Sequence, residues 1–185
     1  MGLFRKTAAI EPLGVTMAAV KLGERLLSVG TRNPKLTAQL AVKAGLTGRA
    51  AVVDDDEARL AKAAAAIEQE GALIEPVRAP YGMWPFDSGS FDVAVIADLL
   101  HTLTPDVRVR CVSDVFRVLR PGGRAIVLEP APRGGIGALL NRQVASDPAY
   151  TGAAKALASE GFAAVRQIAE AEGVVYVEGI KKAVS

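Results

Sequence analysis

Two apolar runs near the C-terminus, residues 162–168 and 174–180, are separated by only residues 169–173. Parallel strands need a crossover of a dozen or more residues, so this pair can only form an antiparallel hairpin. Upstream the pattern differs. From Arg25 onward, short apolar runs alternate with helical stretches, giving predicted strands at 25–29, 50–53, 73–77, 91–96 and 125–128. Between them lie helices at 34–44 and about 56–70, the latter closed by Gly71, and a third opened by Thr104 as N-cap with Pro105 at the first helical position. In that third helix Val109, Val112, Phe116 and Leu119 recur at core-facing spacing, and Arg120-Pro121-Gly122-Gly123 reads as a turn. Near-continuous apolar strands joined by helices imply a parallel sheet covered on both faces. The predicted fold is therefore α/β: a Rossmann-like, doubly wound, seven-stranded sheet, mostly parallel, closed by a C-terminal antiparallel hairpin.

At 185 residues the chain suits one domain, with residues 1–22 a short N-terminal lid or extension. Twenty-two Lys and Arg against 20 Asp and Glu leave a net charge of +2, without the concentrated basic surface that nucleic acid demands. A single cysteine, Cys111, and a single histidine, His101, exclude an intramolecular disulfide, a Cys-based metal site and a multi-histidine one; no metal is expected. Cys111 lies beside Val112 and Val115 in the helical pattern and reads as a small buried hydrophobe. Lys6 stands where a myristoylation signal needs Ser or Thr, and Glu11, Pro12 and Lys21 break the first apolar stretch. A cytoplasmic location without membrane attachment is the expectation.

Several motifs agree with one family. Ser90-Phe91-Asp92-Val93-Ala94-Val95-Ile96, preceded by Trp84-Pro85-Phe86, resembles the fourth strand of class I S-adenosylmethionine-dependent methyltransferases and the Leu-Pro-Phe before it. Phe116 to Arg124, with Leu119-Arg120-Pro121-Gly122-Gly123 at its centre, is similar to that family's passage into strand five, which here ends in Glu129-Pro130. The likeness, closest to small methyltransferase domains of the type 11 kind, covers roughly residues 22–181. A nicotinamide-binding Rossmann domain would instead need a sixth parallel strand and a Gly-x-Gly-x-x-Gly turn. The sequence has neither.

Ligands of a doubly wound sheet bind beyond the carboxyl ends of its strands, where the strand order reverses. The resemblance implies an S-adenosylmethionine site built from Gly30 and Thr31 after strand one, Asp54 and Asp55 after strand two, Tyr81 after strand three and Ala97 after strand four. In the first loop Gly30 matches the family's first glycine, whereas Arg32 and Pro34 occupy the other two glycine positions and Ser28 replaces the usual acid. Asn33-Pro34 also reads as an ordinary helix start. The resemblance gives Asp54 the ribose hydroxyls; the other reading of Asp54–Asp56 is helix capping, for which one acid suffices, leaving Asp54 free. The third loop, Arg78-Ala79-Pro80-Tyr81, lacks the carboxylate expected near adenine, and Tyr81 or Trp84 either stacks on a purine or packs in the core. His101, after strand four, is a general-base candidate or a structural imidazole.

Two functions of different class follow. One is a methyltransferase acting on a small molecule, in which the cofactor supplies the electrophile and the protein aligns the nucleophile. The other is a degenerate domain that binds a partner without catalysis. Arg32 at a helix start adds a third idea, recruitment of an anionic ligand. Residues 131–147 after strand five form only a modest segment, so the acceptor pocket is expected to be shallow, or completed by a homo-oligomer or protein partner.

Overall fold

Alternation inside the strands decides how the sheet is covered. In β1 (Arg25–Val29) Leu26 enters one apolar cluster while Leu27 and Val29 enter another on the opposite face. This is a computed structural model, and it describes residues 12–131 and 150–183. Helix α1 (Leu13–Ala18) precedes β1; then follow α2 (Pro34–Ala44), β2 (Arg49–Asp54), α3 (Glu57–Gln69), β3 (Glu75–Arg78) and β4 (Phe91–Ala97). A 3-10 turn (Leu100–Thr102) leads to α4 (Pro105–Val118), β5 (Leu119–Pro130), α5 (Ala153–Ser159), β6 (Ala163–Ala171) and β7 (Val174–Ile180).

The seven strands lie in the order β3-β2-β1-β4-β5-β7-β6. The first five are parallel, and β7 runs antiparallel to both β5 and β6. The predicted hairpin forms, and its second strand is the one that joins β5. Residues of α1, α2 and α3 (Val15, Leu36, Leu40, Ile67) cover one face; Cys111, Val112 and Val115 of α4 and Leu157 of α5 cover the other. Cys111 is fully buried, as its apolar neighbours imply. Among the described residues no helix is long and apolar enough to cross a membrane.

Four details depart from the sequence reading. The third strand begins at Glu75, two residues later than expected, because Leu73 remains in the connection after α3 and is 76% exposed. On α4 the buried stripe is Arg108, Cys111, Val112, Val115 and Val118, while Val109 faces solvent. The stripe is displaced because Arg108 lies on it, its guanidinium donating to the carbonyls of Leu100 and Leu103, which a purely apolar pattern cannot register. Thr104 precedes α4 but makes no side-chain cap bond. Arg120–Gly123 is no free turn: it bulges out within β5, between the Leu119–Phe91 and Arg124–Val93 pairings, and Gly122 takes a φ of +78°. The modest segment expected at 131–147 lies, beyond Ala131, outside the described residues.

At the amino end of β4, Asp92 gathers the backbone N–H, Nε and Nη2 of Arg25 together with Nε of Arg120. Burial alone would raise its pKa, but these donors outweigh it and hold the carboxyl well below the usual carboxylate range. Both arginines are about 40% exposed, so water screens the pairs. Asp92→Ala is expected to lose about 2 kcal/mol at neutral pH, mainly from the orphaned Arg25 N–H. Urea melts measure this. The difference should shrink as pH falls through the carboxylate range and wild type loses the same contribution.

Candidate functional site

The strand order reverses between β1 and β4, so the loops leaving their carboxyl ends diverge and open a cleft. A cleft of about 640 Å³ lies there, walled by Arg32, Asp55–Arg59, Arg78, Tyr81, Thr102 and Leu103. Of the sequence-predicted residues, Asp55 and Tyr81 stand on its wall. Gly30 and Thr31 leave β1, and Asp54 and Ala97 end β2 and β4.

The first loop combines both of its sequence readings. Gly30 takes a φ of +78°, a conformation that favours glycine, and its N–H donates to Val53 O at 2.9 Å. A Cβ there would meet Leu99 at 3.3 Å. Asn33 Oδ1 accepts from Leu36 N at 3.0 Å with Pro34 at the first helical position, so the ordinary start of α2 is present. Arg32 extends across the cleft, and its Nη2 reaches Thr102 Oγ1 at 3.3 Å.

The acidic run behaves differently from the expectation that Asp54 is free. Asp54 is completely buried. Its Oδ2 accepts from Thr31 N at 2.8 Å and Thr31 Oγ1 at 2.6 Å; its Oδ1 accepts from Asp56 N at 2.9 Å and Arg59 Nη2 at 2.7 Å. A carboxylate offers about four lone-pair sites, and all four are taken. Asp56 does the capping, accepting from Arg59 N at 2.9 Å, so Asp54 is a tie between β1, β2 and α3. Burial would raise its pKa, but the donors from Arg59, Thr31 and Asp56 prevail and bring it down to about 2. Asp55 shifts upward, by burial and by the neighbouring Asp54 charge, and its Oδ1 accepts from Arg59 Nη2 at 2.9 Å.

Tyr81 is 95% buried, and its hydroxyl has no hydrogen-bond partner although it lies beside the Asp54–Arg59 group. Burial, with the Asp54 and Asp55 charges, raises its pKa, so it is neutral and remains a donor. Trp84 packs in the core on the α4 side and is not on the cleft wall. Beyond β4, Asp98 has a φ of +52°, rare for a residue with a side chain, and its Oδ1 lies 3.5 Å from His101 Nε2. His101 Nδ1 is buried and unpartnered. His101 does not line the cleft, although its successors Thr102 and Leu103 do.

Sequence reasoning passed over Arg59. A partial signal was available, since Asp56 and Arg59 stand three apart at the start of the helical pattern and such pairs meet on one face.

Known proteins share this fold and family. The methyltransferase domain family model matches residues 26–123. The ubiquinone/menaquinone biosynthesis C-methyltransferase UbiE of Idiomarina loihiensis is 29% identical over 117 residues, 62% of this chain and 46% of that one. The chain thus spans about half the length of the curated relatives it matches. A SAM-dependent methyltransferase of Aquifex aeolicus superposes with a TM-score of 0.73 at 17% identity, covering 90% of this chain and 87% of the other. The structure of PigF with SAH superposes with a TM-score of 0.65 at 22% identity, covering 85% and 50%.

Proposed function

We propose, given that this chain belongs to the methyltransferase domain family, that it transfers a methyl group from S-adenosylmethionine to a small-molecule acceptor. The observation that carries this reading is the cleft at the switch point, walled by Asp55, Arg59 and Tyr81 from the loops after β2 and β3. Gly30 allows the tight turn out of β1 against Leu99, and Asp55 is a half-exposed carboxylate. These residues fit the cofactor once Arg59 turns outward.

The cofactor supplies an electrophilic methyl on a sulfonium, and the protein supplies alignment. Gly30 and Thr31 border the cofactor's amino-acid end, Asp55 lies on the ribose side with the buried Asp54 behind it, Tyr81 stands on the adenine side, and Ala97 borders the methyl side. His101, the general-base candidate, stands just outside the cleft wall beside Thr102, with Asp98 Oδ1 3.5 Å from its Nε2. A homo-oligomer or protein partner completes the acceptor side.

The saturation of Asp54, together with Arg32 and Pro34 in the glycine loop, favours a second reading: a domain that keeps the fold and binds a partner instead. Calorimetric titration with S-adenosylhomocysteine separates the two. The methyltransferase reading expects saturable heat, and a ligand at about 100 times its Kd should add roughly 2.7 kcal/mol of stability in a thermal melt. No heat and no thermal shift at millimolar ligand would sink it.

A further inference from the structure

We propose that Arg59 closes the ribose subsite of this cleft and so sets how tightly the cofactor is held; the inference rests on the methyltransferase reading above. A single guanidinium spans the whole acidic run. Nη2 reaches Asp54 Oδ1 at 2.7 Å and Asp55 Oδ1 at 2.9 Å, Nη1 reaches Asp56 Oδ2 at 3.2 Å, and Nε approaches Asp54 Oδ2 at 3.4 Å. It therefore occupies the acceptors that a vicinal diol would need.

The other donors on Asp54 cannot yield. Thr31 N and Asp56 N are backbone, fixed by the β1 loop and the start of α3, and the Thr31 hydroxyl is buried with them. Arg59 is different: its side chain is 34% exposed, lines the cleft, and hangs on a flexible stem. Binding a ribose at Asp54 or Asp55 thus means exchanging a cation for two neutral hydroxyls. Hydroxyls bonded to a carboxylate are charge-assisted as well, but only the guanidinium adds the attraction of an opposite charge, so the exchange gives up that attraction and weakens the cofactor.

Removing the cation should not dismantle the site. Without Arg59, Asp54 still accepts from Thr31 N, Thr31 Oγ1 and Asp56 N and remains held in place. An ammonium at this position is a point charge that cannot fork over three carboxylates. Salt offers an independent handle, because Asp55 and Asp56 are 51% and 42% exposed and their pairing with Arg59 is screened, whereas hydroxyl bonds are not.

The test is calorimetry with S-adenosylhomocysteine on the full chain and on Arg59→Met and Arg59→Lys. In the expected result Arg59→Met binds about tenfold tighter than wild type and Arg59→Lys falls between them. Raising salt from ~50 to ~500 mM should tighten wild type about twofold and leave Arg59→Met unchanged. If wild type binds and a folded Arg59→Met binds equally or more weakly, with Arg59→Lys no tighter, Arg59 is not a closing group and the proposal falls, while the methyltransferase reading stands. If none of the three proteins binds, both fall.

Discussion

Asp54→Ala is expected to lose about 3 kcal/mol of stability, with a fall of roughly 6–12 °C in Tm for a chain of this size. The loss comes from what the carboxylate leaves behind. Thr31 is 3% exposed, so its N–H and hydroxyl lose their acceptor where water cannot easily replace it, and Asp56 N loses one at the start of α3. Arg59 contributes less, because its side chain can turn to solvent. Asp54→Asn should not rescue: an amide has one acceptor oxygen, and its NH2 must face either the Thr31 donors or the Asp56 and Arg59 donors. The pH dependence has a definite sign. The folded-state pKa is lowered to about 2 from an ordinary value near 3.8, so the contribution is complete above that ordinary value and disappears as pH falls towards 2. Wild type and variant should therefore converge in acid. Equal Tm values at pH 7, or a gap that widens below pH 4, would show that Asp54 is not the tie described here.

The fold was legible because its evidence is periodic and local. Near-continuous apolar strands, helix starts at Asn33-Pro34 and Thr104-Pro105, and two C-terminal apolar runs too close in sequence for a crossover each carry their own physical constraint, although β6 runs on to Ala171 and leaves only Glu172 and Gly173 between the two strands. The bounds of α2 and β7 follow directly from them. What escaped was everything decided by a charged side chain turned inward. Arg108 displaced the buried stripe of α4 by bonding carbonyls eight and five residues earlier. Asp54 looked free because capping needs one acid, yet its partner Thr31 is 23 residues away and its partner Arg59 is masked by an ordinary helical pattern. Gly30 and Tyr81 were legible as positions, through resemblance; that the Tyr81 hydroxyl is buried and unpartnered depends on tertiary packing, which no local pattern encodes.

That packing rests on Gly82, and Gly82→Ala is the second substitution with a large expected effect. Pro80 O accepts from Met83 N at 3.1 Å, closing a four-residue turn whose third position is Gly82 at φ +86°. A turn of this kind requires positive φ there, where any side chain is strained by about 1 kcal/mol. Space is the larger problem. A Cβ on Gly82 would lie 2.5 Å from Arg110 Cβ and 2.7–2.8 Å from the Arg110 carbonyl, so backbone of α4 blocks it. The loop cannot retreat, because Trp84 N is bonded to Asp114 and the carbonyls of Trp84 and Phe86 are bonded to Arg117, both on α4. Overpacking of this kind adds about 1–3 kcal/mol, for a total near 3 kcal/mol. Gly89→Ala supplies the comparison: its φ is +74°, but its Cβ would meet nothing nearer than Arg120 Cα at 3.8 Å, so strain acts there without the clash. Chemical denaturation of both variants isolates the packing contribution. The difference should be about 2 kcal/mol. The site should feel it too, since a loop pushed off α4 carries Tyr81 with it, and binding of S-adenosylhomocysteine should weaken in Gly82→Ala and not in Gly89→Ala. Equal stability loss in the two would mean that α4 yields at Arg110 and does not brace the wall of the cleft.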